Sequence, residues 1–416
     1  MYAESSEQVI AARAVMGLGA ALVMPSTLSI IVTIFPMDER PKAIGIWAAT
    51  AGIGAPIGLF VGGVIVQNYD WSMVFWVNVP IAILAIITSA IIVPESKDNN
   101  QTKLDLVGSL LSIAALGTFL YTIIEAPNMG WFSAKTLGLT ILAGVLLYTF
   151  SKWEKKIEHP MLPMSFFKEP GFITGLIAVS LAFFVMFTFL FTQMLHFQLV
   201  RGHDALIAAM HLLPLPFALL PAASNSDKLV EKFGRRKVVS TGLLMLTTGM
   251  LLFATQVTID SDYTVIAIVF LILGVGMGLT MAPSTSLIMQ GIPTDKVGIG
   301  SATNDASREI GGAMGIAIGG SLLNEFYQAK FKLPDDIDPS TLSADPNVSF
   351  PAAIRIGEEL RDSGIPAGQE LIDIGREAFM YGMTSSAAGS AVISLVAAVI
   401  VMVWMPDSKV QLEKEL

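Results

Sequence analysis

Cysteine is missing altogether from these 416 residues, which excludes disulfides and thiolate metal sites and leaves the redox compartment unread. Charge is scarce as well: Asp, Glu, Lys and Arg make up 14% of the chain, against roughly 25% in soluble domains. With 53% hydrophobic residues and a mean hydropathy of +0.66, that shortage describes a membrane protein. The net charge of −9 owes most of its excess acid to one stretch, 324–378, and speaks against a nucleic-acid partner. Met1 to Gln8 hold Glu4 and Glu7 but no basic residue, so the basic n-region of a signal peptide is lacking. A GxxxxGK[ST] loop is lacking too, so nucleotide-driven chemistry has no cradle. No set of nucleophile, base and third group marks an enzyme.

What is present is hydrocarbon in spans. A bilayer core of about 30 Å needs about 20 apolar residues in a helix. Eleven stretches qualify, near 8–32, 41–66, 73–93, 105–124, 135–151, 171–195, 205–223, 238–257, 263–285, 298–323 and 379–404. If they cross alternately, Lys and Arg should collect in the cytoplasmic short loops. One set of connections holds sixteen: Arg40, Lys42, Lys97, Lys103, Lys152, Lys155, Lys156, Lys168, Lys228, Lys232, Arg235, Arg236, Lys237, Lys296, Lys409 and Lys414. The opposite short loops hold only Lys135 and Arg201. The expected C-terminus is therefore cytoplasmic and the N-terminus outside. Loop 324–378, with eleven acidic and five basic residues, reads as a solvated outside loop with some amphipathic helix.

The sequence repeats itself at an offset of 257 residues. Gly17, Gly19, Leu22 and Met24 meet Gly274, Gly276, Leu279 and Met281, and Pro36 and Asp38 meet Pro293 and Asp295. Gly54, Gly58, Gly62 and Gly63 then meet Gly311, Gly315, Gly319 and Gly320. Positions 17–63 give fourteen identities in all. Parallel repeats of this kind relate the halves of one transporter architecture, and small residues every four positions let helices approach closely. The first three spans map onto the last three, while 171–195, 205–223 and 238–257 have no counterpart at the start. Spans 105–124 and 135–151 are left over. The implied parent has two six-helix bundles with two helices between them, fourteen in all, of which this chain carries eleven.

Several motifs carry a family resemblance. Ala3-Glu4-Ser5-Ser6 followed by Arg13 and Gly17, the Gly54 to Gly63 stripe, and Trp71, Phe75, Asn78 and Pro80 form one group. His159-Pro-Met-Leu-Pro with Phe166-Phe167-Lys168, and Asp227-Lys-Leu-Val-Glu231-Lys232-Phe-Gly234-Arg235-Arg236, form another. Together they resemble the fourteen-helix drug:proton antiporters of the major facilitator superfamily, the QacA and EmrB type. Met16, Leu59 and Asp227 stand where that pattern more often has Gln, Pro and Gly. The resemblance implies an all-α integral membrane protein of the cytoplasmic membrane, acting as a monomer without cofactor and driven by the proton gradient. Its partners would be a lipophilic small molecule, protons and the bilayer. It further implies a missing first three helices and a second half of the N-terminal bundle at 1–93. A linker and two inserted helices would follow at 94–152, a cytoplasmic loop at 153–170, a C-terminal bundle at 171–405 and a tail at 406–416. Arg13 matches the arginine of the family's fourth helix. Asp227, Glu231, Gly234, Arg235 and Arg236 match a cytoplasmic gate whose ion pairs switch between two states, though ordinary positive-inside charge explains the same cluster.

The sharpest chemical feature is Asn304-Asp305-Ala-Ser-Arg308-Glu309-Ile-Gly311, in the middle of a span. A carboxylate at bilayer depth costs about 2.5–3.5 kcal/mol on insertion scales, so such acids face a cavity or a partner. Asp305 and Glu309 are four apart, and Arg308 is three from Asp305 and can pair with it. In the repeat they align with Ala48, Gly52 and Ala51, so only one copy is charged. That asymmetry favours proton coupling or cation recognition by Glu309, Asp305 and Arg308, with a structural ion pair as the alternative. The aromatic and Met positions of 171–195, among them Phe183, Phe184, Phe187, Phe189, Phe191, Met186 and Met194, suit either a greasy drug pocket or lipid. Glu125 reads as a solvated helix end, and His211 is not assigned a proton relay. Export of a hydrophobic, cationic drug is the leading expectation; export of a lipid, siderophore or metabolite, or a non-transporting fragment, are the alternatives.

Overall fold

The computed structural model describes residues 5–93, 105–158, 160–290, 292–293, 296–334, 336–339, 342 and 344–407. The side chains of Ser6, Gly52, Ile53, Ala55, Pro56 and Leu59 also fall outside the description. The expectations for Ala3, Glu4, Lys97, Lys103, His159, Asp295, Lys409, Lys414 and the Leu59 side chain therefore lie outside the described residues.

Fifteen α-helices and no strand occur among the described residues. In a bilayer this follows from the backbone, since a helix satisfies its own N–H and C=O groups where no water is available. The helices are α1 (Ser6–Ile34), α2 (Arg40–Asn68), α3 (Met73–Trp76), α4 (Asn78–Ile92), α5 (Leu106–Met129), α6 (Ala134–Glu154), α7 (Pro170–Leu195) and α8 (Ala205–Met210). They continue with α9 (Pro214–Ser224), α10 (Ser226–Phe233), α11 (Arg235–Gln256), α12 (Tyr263–Gln290), α13 (Val297–Lys330), α14 (Phe350–Asp362) and α15 (Ala367–Trp404). Short polar side chains open several of them: Ser5, Asp105, Ser133 and Asp204 accept from the backbone N–H of Gln8, Gly108, Thr136 and Ile207, satisfying donors that the helix itself cannot.

Every expected span coincides with helix. Nine segments among the described residues are long and apolar enough to cross a membrane, with α8 and α9 together forming one and α3 and α4 another. The chain is thus a multi-pass integral membrane protein. Of the remaining two, α2 includes side chains outside the described set, and α13 is diluted by Asp305, Arg308, Glu309 and its glycines.

Three boundaries differ from the sequence expectation, each for a local reason. Span 205–223 is broken at 211–213, where Pro214 and Pro216 follow and remove backbone donors. The helix begun at Met73 breaks at Val77, because the Pro80 ring conflicts with the carbonyl four residues earlier. At the far end α13 runs on to Lys330 and α15 already starts at Ala367, within the stretch read as loop. There α14 lies between them as an amphipathic helix, burying Phe350, Ala353 and Ile356. Phe350 stacks on Phe379 at 4.6 Å, and the Tyr327 hydroxyl donates to Pro346 O at 2.9 Å. Outward Glu370 and Asp373 had hidden the apolar face of Leu371 and Ile372 that continues α15.

The core is carried by α7, α9, α11, α12, α13 and α15, with Phe189 of α7 fully buried against Phe253 and Phe270 at 5.4 and 5.1 Å. α2 leans on α8 and α9: a Cβ at Gly45 would stand 2.9 Å from Ala223 O, and one at Gly63 3.1 Å from Ala205 O. α5 and α6 pair with each other, and α5 rests on α13. By contrast, the apolar window of the α3–α4 span is 0% buried and that of α1 11%, against 67% in α12.

Candidate functional site

Four helices, α1, α2, α7 and α12, converge on the charged turn of α13. Asp305 and Arg308, three apart and so on one helix face, are both buried, with Arg308 Nη1 3.8 Å from Asp305 Oδ1. That separation is an ion pair without a good hydrogen bond. The second guanidinium nitrogen of Arg308 donates to Thr285 Oγ1 of α12 at 3.3 Å, and the Thr285 hydroxyl donates to Asn304 Oδ1 at 3.3 Å. The guanidinium also lies over two rings, 4.5 Å from the Trp47 centroid in α2 and 5.5 Å from that of Phe183 in α7. Trp47 is itself oriented from α1, its indole N–H donating to Thr27 Oγ1 at 3.0 Å. One turn earlier, Ser301 Oγ donates to Pro25 O of α1 at 2.8 Å.

The arrangement is incompletely satisfied. Both carboxylate oxygens of Asp305, Nε of Arg308 and Nδ2 of Asn304 are buried without a hydrogen-bond partner. Buried polar groups in native proteins are nearly always hydrogen-bonded, to protein or to water, so these atoms have capacity for a further partner. Arg308 thus has a cation's surroundings on one side, Asp305 and two aromatic faces, and hydroxyl partners on the other. An arrangement of this kind can hold a proton on its carboxylate or exchange one cation for another.

Glu309, one residue on, is exposed. Asp305 and Glu309 are therefore neighbours along the helix but lie in different surroundings. Arg13 is exposed on α1 and is joined to the α13 cluster by no hydrogen bond or ion pair among the described residues. Of the α7 aromatic and Met set, Phe183 reaches the site, while Phe184, Met186 and Phe189 are core. Trp47 and Thr285 are participants that the sequence did not mark. The 257-residue offset places Trp47 opposite Asn304, directly before Asp305, and that alignment was its available signal.

The glycine stripes sit differently in the two copies. A Cβ at Gly311 would meet Ser180 O of α7, one at Gly315 would meet Phe184 O, and one at Gly319 would meet the Thr188 side chain. Gly54, Gly58 and Gly62 of α2 have nothing within 4 Å. Gly63 alone of that stripe touches a neighbour, α8.

At the charged end of α10 and α11, Gly234 turns the chain with φ 87°, a left-handed conformation that glycine adopts without strain. A Cβ there would meet Asp407. The Arg235 guanidinium, buried, donates to Gln290 Oε1 of α12 at 3.0 Å, and Arg236 Nε donates to Met405 O beyond α15 at 2.6 Å. Glu231 is exposed, and Asp227 has a buried oxygen without a partner. No ion pair joins Asp227 or Glu231 to Arg235 or Arg236 among the described residues. The two arginines instead fasten α11 to α12 and α15.

Residues 1–316 match the family model described as Major Facilitator Superfamily. Among curated proteins, the chain is 30% identical over 342 residues to the multidrug resistance protein Stp of Mycobacterium tuberculosis, covering 80% of this chain and 63% of Stp. It is 30% identical over 406 residues to the multidrug efflux pump LfrA of Mycolicibacterium smegmatis, covering 96% and 78%. It is 26% identical over 403 residues to the tetracenomycin C resistance and export protein of Streptomyces glaucescens, covering 95% and 74%. The chain spans less than two thirds of the length of Stp.

Proposed function

The chain belongs to the Major Facilitator Superfamily, a transporter family rather than an enzyme family, and from that membership we propose that its complete polypeptide exports hydrophobic, cationic drugs or antiseptics in exchange for protons. The observation that carries this reading is the buried, incompletely hydrogen-bonded Asp305–Arg308 pair where α13 meets α1, α2, α7 and α12. Relatives named as multidrug efflux and resistance proteins support drugs as the cargo.

In this mechanism a proton arriving from outside binds Glu309 or Asp305 and cancels one negative charge beside Arg308. The guanidinium then depends more on Trp47, Phe183 and Thr285, and α13 changes its packing against α1 and α2. A cationic substrate near the same acids competes with the proton. The competition gives obligatory exchange, because each state of the helix set favours one of the two ligands. Rocking of two bundles about such a site is alternating access. Arg235 and Arg236, at the start of α11, brace that end of the helix through Gln290 and Met405 O, with Asp227 and Glu231 free to pair with them in the other state.

The repeat supports a QacA and EmrB type of fourteen helices. In α13 the glycine stripe is pressed on α7, the first helix of its bundle; the bare stripe of α2 would then be covered by a repeat-related helix from three further spans. On this reading 1–93 completes an N-terminal bundle, 94–152 brings the inserted pair, 153–170 is a loop, 171–405 is the C-terminal bundle and 406–416 is a tail. The Lys and Arg bias puts the C-terminus in the cytoplasm and the start of α1 outside the cytoplasmic membrane. The transporter acts as a monomer.

The test is accumulation of a fluorescent lipophilic cation in cells expressing the complete coding sequence, with and without a proton uncoupler. Lower accumulation that returns to control levels with uncoupler is expected. Export that persists without a proton gradient, or accumulation equal to that of empty cells, overturns the proposal.

A further inference from the structure

The α5–α6 pair touches the rest of the molecule unevenly. At one end it is fastened to α13, where the Trp131 indole N–H donates to Ser321 Oγ at 3.2 Å. Toward the other end the pair and the α7–α13 face line an open-sided cavity of about 940 Å³. That volume is near the top of the roughly 300–1,000 Å³ range of small-molecule sites. Leu116, Phe150, Leu176, Ile299, Ala306 and Ile310 give it hydrocarbon walls.

Its polar groups are few and specific. Four hydroxyls line it: those of Ser112, Thr303 and Ser307 donate to carbonyls of their own helices, Ser109 O, Ile299 O and Asn304 O, and that of Ser151 of α6 is the fourth. The charged lining groups are Lys155 and Lys168, from the two ends of the α6–α7 connection. Both lysines are exposed at the mouth of the cavity, and neither has an ion-pair partner among the described residues. Glu154 is buried and accepts from Leu162 N–H at 2.8 Å, and Glu158 and Glu169 are exposed and do not line it.

We propose that this cavity is a binding site for an anionic phospholipid, with the phosphate at the Lys155 and Lys168 end and the acyl chains between α5 and α13. Basic pockets between membrane helices at one leaflet take anionic headgroups in this way, and the apolar walls suit chains rather than a polar solute. A cationic drug is repelled by the same two ammonium groups, so the cavity is separate from the Asp305–Arg308 site although α13 contributes to both. The leaflet, cytoplasmic, rests on the orientation proposed above; the site itself does not.

The experiment is native mass spectrometry of the purified chain during delipidation in mild detergent, with phosphatidylglycerol and phosphatidylcholine of identical chains added in competition. Phosphatidylglycerol should be retained about thirty-fold over phosphatidylcholine, the effect of two lysines on one anionic headgroup. Lys155→Gln with Lys168→Gln should equalise the two lipids, and Ala306→Trp should expel both while leaving the lysines in place. Glycerol phosphate should not compete at millimolar concentration; competition by it would mean a free-phosphate site and overturn the lipid. Equal retention of the two lipids by the unaltered chain, or unchanged preference in the double lysine variant, overturns the proposal. Should a variant fail to fold, phosphatidylglycerol carrying a diazirine near its chain end is photolysed on the unaltered chain. Labelling concentrated on α5 and α13 around Leu116 and Ile310 supports the site, and labelling spread evenly over lipid-facing helices such as α4 overturns it.

Discussion

α2 and α13 are the two copies of one sequence pattern, yet one is stripped and the other clasped. In α13 the glycines at 311, 315 and 319 let α7 come so close that any side chain would strike Ser180 O, Phe184 O or Thr188. In α2 the glycines at 54, 58 and 62 face nothing within 4 Å, and the helix is held instead by Gly45, Trp47 and Gly63 on α9, Arg308 and α8. A small-residue stripe is thus permission for contact rather than contact itself; the neighbour decides whether it is used. The charges sort the same way. α13 gained Asp305, Arg308 and Glu309 where α2 has Ala48, Ala51 and Gly52, and α2 answers them with the ring of Trp47.

A graded set of substitutions probes this difference by thermal unfolding in detergent. Gly315→Leu drives a side chain into the α7 backbone and should cost about 3 kcal/mol or yield no folded protein; a stable variant would mean the α7–α13 contact is not made. Trp47→Ala removes a desolvated cation–π partner of Arg308 and should cost about 2 kcal/mol. The double change with Arg308→Met should be less than additive, since the two side chains act as a pair. Gly63→Ala asks the α8 backbone to yield a few tenths of an ångström, and a loss of about 1 kcal/mol is expected. Gly58→Leu in this chain should stay within about 0.5 kcal/mol of the parent, as for surface positions without special contacts. In the complete polypeptide the same Gly58→Leu change should become as harmful as Gly315→Leu if a further helix covers the stripe. Equal tolerance in both contexts would break the proposed symmetry.

Helix positions were legible because hydropathy at bilayer length is set by the solvent, and all eleven stretches fell on helix. What hydropathy does not contain is the helix that turns polar on one side: Ala367 to Ala378 read as loop because Glu370, Asp373 and Arg376 alternate with a buried face. Breaks at 211–213 and at Val77 had a visible cause in Pro214, Pro216 and Pro80, but periodicity averages over them. The pairing of Asp305 with Arg308 followed from a three-residue spacing within one helix. Trp47 and Thr285 did not follow, because which side chains meet across helices depends on tertiary packing. The partners of Arg235 and Arg236 were missed likewise, being a distant Gln290 side chain and a backbone carbonyl at Met405.

Coupling is proposed to reside in the charged turn of α13. It is tested most directly by drug-driven proton movement in vesicles containing the complete polypeptide, comparing the unaltered protein with Glu309→Gln and Asp305→Asn at matched expression and melting temperature. Glu309→Gln should abolish drug-stimulated proton exchange and Asp305→Asn should weaken it. Undiminished exchange in both would contradict that proposal.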